Sequence, residues 1–148
     1  MMRESVIIAA DAQAVWPLIA DPVEHARWND KVISIGRERN GPVTRGERFD
    51  MIYRMKGRDS TTRVEVTHCQ RERCVVFRHR TEWRGREQVS DEKYEIEPIA
   101  HGVRLTQTID LSRAVPGWAL ALIWLINRFG SRRGTSNLQR LSSLVQPK

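Results

Sequence analysis

Two alternating runs separated by a short polar loop constrain this chain more than any other feature. Residues 62–69 (Thr62-Arg63-Val64-Glu65-Val66-Thr67-His68-Cys69) alternate with period two, and so do residues 74–83, from Cys74 to Trp83. The intervening Gln70-Arg71-Glu72-Arg73 has the length and polarity of a hairpin loop. Folding about it sets Cys69 opposite Cys74, Val66 opposite Phe77, Glu65 opposite Arg78 and Val64 opposite His79. One face then carries Val64, Val66, His68, Val75, Phe77, His79, Thr81 and Trp83. The other carries Arg63, Glu65, Thr67, Arg78, Arg80 and Glu82. A slip of one residue would turn those charges inward, so the register is strongly specified. The result is an antiparallel sheet with one wet face, and histidines on the dry face point to a lined pocket instead of a plain core.

The rest of the chain extends this sheet. Residues 4–10 read as a first strand. Asp11 caps a helix from Ala12 to Ala20, which Pro17 is expected to kink or shorten. Asp21-Pro22-Val23-Glu24 restarts a second helix, with Glu24 reaching back to the cap amide, and that helix should end near Trp28-Asn29-Asp30. Strands follow at 31–37 and 47–56, the latter with Phe49, Met51, Tyr53 and Met55 on one face. Arg84-Gly85 turns the chain into a strand whose dry face is Gln88, Ser90, Glu92, Tyr94 and Ile96, because the other parity would bury Glu87, Asp91, Lys93 and Glu95. After a loop around Pro98 to Gly102, a last strand points Val103, Leu105, Gln107, Ile109 and Leu111 inward. Val115-Pro116-Gly117 opens a long C-terminal helix, with a bend expected at Gly130 and Gly134 and an amphipathic end carrying Leu138, Leu141, Leu144 and Val145.

The order strand, two short helices, six strands, long C-terminal helix is an α+β helix-grip layout. At 148 residues it is expected to be a single domain, residues 1–148. The net charge of +7 invites a nucleic-acid reading. However, 21 of the 25 basic residues are Arg scattered among Asp and Glu, without a block of like charge, which reads as a solvated surface. Four scattered His and two Cys have no metal-ligand spacing, so neither a metal nor a cofactor is expected. No signal-like segment opens the chain, and the expected location is the cytoplasm, with both cysteines reduced. The apolar run 118–126 is nine residues, against roughly 20 needed to span a bilayer. It holds Trp118 and Trp124, which cannot share one helix face. It is therefore expected to pack locally, to form a homodimer contact, or to touch a membrane surface.

Several segments carry a family likeness. Ala10-Asp11-Ala12-Gln13-Ala14-Val15-Trp16-Pro17-Leu18-Ile19-Ala20-Asp21-Pro22, then Ala26-Arg27-Trp28-Asn29, resembles the opening of the polyketide cyclase/dehydrase-like proteins of the START-like (SRPBCC) superfamily. Gly46-Glu47-Arg48-Phe49 resembles the start of their third strand, and Gly102-Val103-Arg104-Leu105-Thr106 their final strand. The resemblance implies a seven-stranded antiparallel sheet wrapped around the long C-terminal helix, with two short helices after the first strand and a cavity for an apolar or aromatic small molecule. It carries no shared catalytic signature, since the superfamily includes carriers, cyclases, hydrolases and co-chaperones.

The strand parities say which side chains line such a cavity. Setting Ile96 opposite Val103 puts Tyr94 against Leu105 and Glu92 against Gln107, with Ser90 against His79. His79 lies diagonal to Glu92, about 7–8 Å away between alpha carbons. His79, Ser90, Glu92 and Gln107 thus form a polar group on an apolar wall, with Tyr53, His68, Thr81 and Tyr94 at its rim. Met51, Val66, Phe77, Ile109, Trp118 and Leu122 complete the expected lining. A few convergent polar groups in an apolar hollow is the character of a ligand site. Three roles are open: orienting the polar head of a hydrophobic ligand, for binding or lipid transport; general acid/base work by Glu92 or His79 in a cyclase, aromatase or dehydratase; or mutual satisfaction of buried polarity. A co-chaperone-like interaction module is the remaining alternative.

Overall fold

A computed structural model describes residues 2–55, 57–83, 85–110 and 137–145. Seven strands form one antiparallel sheet: β1 (Met2–Ile8), β2 (Val32–Gly36), β3 (Arg48–Met55), β4 (Arg58–Gln70), β5 (Cys74–Trp83), β6 (Arg86–Ile99) and β7 (Gly102–Asp110), in the order β1-β7-β6-β5-β4-β3-β2. Strands β2 to β7 are neighbours in sequence, and β1 crosses to pair with β7. Helices α1 (Ala12–Ala20) and α2 (Pro22–His25) make the connection from one edge of the sheet to the other. A C-terminal helix, α3 (Asn137–Val145), packs beside β1 and α1. No described helix is long and apolar enough to cross a membrane. The expectations for the side chains of Met55 and Trp83, for Leu111, and for the helix over 115–136 with Trp118, Trp124 and Leu122, lie outside the described residues.

The local signals act as their chemistry dictates, with instructive exceptions. Asp11 accepts the Ala14 amide at 2.9 Å and starts α1 at Ala12. The helix runs on through Pro17 to Ala20, and the Pro17 carbonyl accepts the Asp21 amide at 3.1 Å. Asp21 caps α2 through the Val23 amide, but α2 stops at His25, short of the expected end. Glu24 does not close the capping box: the cap amide is already taken by Pro17, and Glu24 instead pairs with Arg27 at 2.7 Å. The first strand lies two residues earlier than the sequence implies.

The β4–β5 hairpin carries the largest correction. Val64 faces His79, Glu65 faces Arg78 and Val66 faces Phe77, as the alternation requires. Beyond Val66 the register shifts, so that His68 faces Val76, Cys69 faces Val75 and Gln70 faces Cys74. Thr67 is the extra residue of a β-bulge. The loop is correspondingly one residue shorter, Arg71 to Arg73, with Glu72 at φ 61° and the Arg73 amide bonded to the Gln70 carbonyl at 3.0 Å. The two changes cancel upstream and do not cancel at the tip. His68 is therefore on the wet face, and Cys69 turns inward to meet the Val43 carbonyl at 3.4 Å. The two cysteines do not face each other, and both are free.

The β6–β7 pairing is offset by two residues from expectation: Ile96 faces Leu105, Tyr94 faces Gln107 and Glu92 faces Ile109. The faces survive, because the side-chain period is two. The loop is a tight turn at Ala100-His101 instead of a longer one from Pro98. It ends at Gly102, φ 146°, where a side-chain carbon would overlap the Ile8 carbonyl.

The dry face of the sheet, α1 and α3 share one core, including Phe49, Val66, Phe77, Tyr94, Trp16 and Trp28. Leu138 and Leu141 of α3 are fully buried, each contributing about 1.5–3 kcal/mol, while Leu144 is left exposed. A buried ionic staple fastens the start of α2 to the sheet. The Arg37 guanidinium, 2% exposed, grips Glu47 with two bonds of 2.6 and 3.2 Å. It also donates to Asp21 Oδ1 at 3.2 Å and to the Gly41 carbonyl at 2.8 Å, and Asp21 Oδ2 accepts the Gly41 amide at 2.7 Å. Nothing in the sequence periodicity signals this staple.

Candidate functional site

The strand alternation brings Tyr53 (β3), His79 (β5), Glu92 and Tyr94 (β6) and Gln107 (β7) onto the dry face of the sheet. Their side chains meet in one polar cluster set in an apolar wall. Gln107 Nε2 donates to the Tyr94 hydroxyl at 3.0 Å, and that hydroxyl donates to Glu92 Oε1 at 2.9 Å. Tyr94 can join in this way because it is directly opposite Gln107 and two residues from Glu92 on the same face. His79 Nε2 lies 4.0 Å from the same Glu92 oxygen, too far for a hydrogen bond. The side chains of His79 and Glu92 are 11% and 15% exposed, and His79 Nε2 is shielded from solvent with no hydrogen-bond partner among the described residues. The Tyr53 ring stands edge-on to His79, with 5.8 Å between centroids, and its hydroxyl donates to Met51 Sδ at 3.5 Å.

A second histidine, absent from the sequence-based list, completes the cluster. His25, at the end of α2, is 3% exposed, and its ring packs at 5.0 Å from Trp28, 5.5 Å from Phe77 and 5.9 Å from Tyr94. Its Nε2 hydrogen-bonds the Ile19 carbonyl at 2.8 Å, and Trp28 Nε1 donates to the Leu18 carbonyl at 2.9 Å. The signal available in the sequence was the spacing His25…Trp28 behind a well-capped helix start, which puts both rings under the sheet.

Burial dominates the proton affinities here. It lowers His79 to about 4, against a small opposing pull from Asp91, and it lowers His25 against the charge of Glu92 and the Ile19 bond. It raises Glu92, although the charge of His25 and hydrogen bonding from Tyr94 and Gln107 pull the other way. It raises Tyr53 and Tyr94 too, with the Glu92 charge adding to the effect. Near neutral pH both histidines and both tyrosines are thus uncharged, and burial favours the protonated form of Glu92 as well. Among the described residues no lysine or arginine pairs with it. No group of three or more His, Cys, Asp or Glu among the described residues is placed to hold a metal ion.

Of the expected lining, Met51, Val66, Phe77 and Tyr94 are buried on this wall, and Tyr53, His79, Ser90, Glu92, Gln107 and Ile109 are part-buried on it. Thr81 is on the same face but is bonded to Thr62 at 2.9 Å. Ser90 faces His79 across the strands. His68 leaves the site through the bulge, and Trp118 and Leu122 lie outside the described residues.

Comparison with known proteins agrees with this architecture. The profile of a family described as polyketide cyclase / dehydrase and lipid transport matches residues 2–145. No curated protein matches the chain. Among solved structures, protein CV1439 from Chromobacterium violaceum superposes with TM-score 0.68 at 16% identity, over 99% of this chain and 97% of that one. The ginseng major latex-like protein 151 from Panax ginseng gives 0.67 at 12% identity, over 99% and 97%. DynU16, a protein of the dynemicin biosynthetic locus, gives 0.63 at 20% identity, over 96% of this chain and 45% of that one. At these identities the likeness establishes the helix-grip fold alone.

Proposed function

The chain belongs to the polyketide cyclase / dehydrase and lipid transport family, and on that premise we propose that it holds an apolar small molecule against the dry face of its sheet, with a polar head at Glu92 and His79. The observation that carries the reading is His79 Nε2, without a hydrogen-bond partner among the described residues and screened from solvent at the end of the Gln107–Tyr94–Glu92 chain. Buried polar atoms in folded proteins are satisfied by protein, water or ligand, and leaving one unsatisfied costs about 1–3 kcal/mol. The surrounding Met51, Val66 and Phe77 supply the apolar contact that a carrier of such a molecule needs. Native mass spectrometry of gently purified protein tests this. A co-purifying mass that is lost on denaturation supports it. Uniformly empty protein that also fails to take up apolar fluorescent probes would refute it.

A second reading is favoured by one specific feature, the opposed proton affinities of His79 and Glu92. A neutral imidazole and a carboxyl with raised affinity for its proton are suited to moving a proton in an enolisation, dehydration or cyclisation. Glu92→Gln separates the two: turnover is abolished in an enzyme, whereas only affinity changes in a carrier.

A further inference from the structure

Within the binding reading proposed above, we propose that the head-group site selects a neutral hydroxyl (an alcohol, phenol or enol) and rejects carboxylates. Glu92 Oε1 and His79 Nε2 are 4.0 Å apart. A single oxygen placed about 2.8 Å from each, the usual distance for such bonds, would see them at an angle of about 90°. One atom can therefore bridge both. The bridging atom must serve two partners of different kinds. Glu92 Oε1 already receives the Tyr94 proton and is an acceptor in this arrangement, so the bridging atom has to donate to it. A hydroxyl has one proton to give and lone pairs to accept with, so it can give to Glu92 and accept from the Nε2–H of His79.

A carboxylate or bare ketone oxygen only accepts. It could take a proton from His79 but would set its lone pairs against Glu92. A carboxylate would also carry its charge into a buried site without a compensating cation among the described residues. The buried aromatic surroundings of Phe77, Tyr94 and His25 offer little water to solvate that charge. The exterior, at +7 overall, attracts anions. Discrimination against them is thus placed inside, at Glu92.

Three probes of one shape test this at neutral pH: 2-naphthol, 2-naphthoate and 2-methylnaphthalene, titrated calorimetrically into the full chain and into Glu92→Gln. The expected result is that 2-naphthol binds at least tenfold more tightly than either of the others. In Glu92→Gln, whose amide can donate to a carboxylate, the margin over 2-naphthoate should collapse to within about threefold. Equal affinity for all three, or tightest binding of 2-naphthoate, overturns the head-group selection and leaves the apolar site standing. Failure of all three to bind overturns both readings. Should Glu92→Gln not fold, the ranking on the native chain decides alone.

Discussion

Replacing His79 by Phe removes the buried base that has no hydrogen-bond partner among the described residues and keeps an aromatic edge against the Tyr53 ring. The expected signature is a change in how stability depends on pH. In the native state His79 takes a proton only near pH 4, whereas in the unfolded chain it does so at its ordinary value of 6.5. Acid therefore protonates the unfolded chain first. The resulting loss of stability begins as pH falls through 6.5, grows until about 4, and levels off below. Between pH 7 and pH 4.5 this amounts to about 2 kcal/mol, at 1.36 kcal/mol per tenfold difference in proton affinity. His25 and Glu92 titrate in both proteins, so their contributions cancel in the comparison to first order. At pH 7 the variant should be as stable as the natural chain or about 1 kcal/mol more stable, because an unsatisfied polar atom is gone. Urea unfolding followed by tryptophan fluorescence at pH 7.0, 5.5 and 4.5 measures both. Parallel pH profiles, within about 0.5 kcal/mol, would show that the His79 ring is not held neutral by burial, and the reasoning about the site would fail with it.

Three further outcomes follow from the geometry. Tyr94→Phe leaves Gln107 Nε2 and Glu92 Oε1 without their shared partner, so the protein should lose about 1–3 kcal/mol in chemical denaturation and the Glu92 carboxyl should titrate still higher in carbon-detected NMR. Arg37→Met strands the carboxylates of Glu47 and Asp21 in a buried setting; a loss of about 3–5 kcal/mol is expected, and a loss below about 1 kcal/mol would mean the staple is not needed. Burial raises the Glu47 carboxyl, but its bonds to Arg37 and Arg39 outweigh this and hold it below the usual range. Its contribution is therefore present above the ordinary carboxylate value and is lost as pH falls through the depressed one, so the gap between Arg37→Met and the natural chain should shrink in acid. Gly102→Ala forces a side chain into the Ile8 carbonyl at a backbone angle other residues avoid, costing roughly 1–3 kcal/mol for the conformation alone, and should sharply reduce soluble yield.

Alternation and turn chemistry made most of the sheet legible in the residues. They specified which side of each strand is dry, because the opposite choice buries several charges at once. That single criterion sufficed to put Phe77, His79, Glu92, Tyr94 and Gln107 on one wall. It did not specify how far one strand slides along the next. Ile96 can face Val103 or Leu105 with equal apolar contact, and only the tight turn before Gly102 decides between them. The bulge at Thr67 was hidden for a related reason: either parity leaves a plausible residue inside, His68 or Cys69. His25 and Arg37 escaped notice because neither sits in a periodic pattern. Their burial is decided by partners outside their own elements, Ile19 and Phe77 for one, Asp21 and Glu47 for the other.

The extra residue in β4 divides that strand into two halves of opposite tolerance. Ahead of Thr67 the even-numbered positions, Thr62, Val64 and Val66, are the intolerant ones, and lysine at 63 should be borne without harm, whereas at 65 it would face Arg48 and Arg78. Past it the rule inverts: lysine at 68 or 70 should be harmless, while at 69 it would be driven against the Val43 carbonyl and the underside of α1. Deleting Thr67 would remove the bulge and leave His68 outward and Cys69 inward, since Val66 and Cys69 would then stand two residues apart on one face. A saturation scan of this strand should therefore show its pattern of permitted charge reversing phase at a single codon.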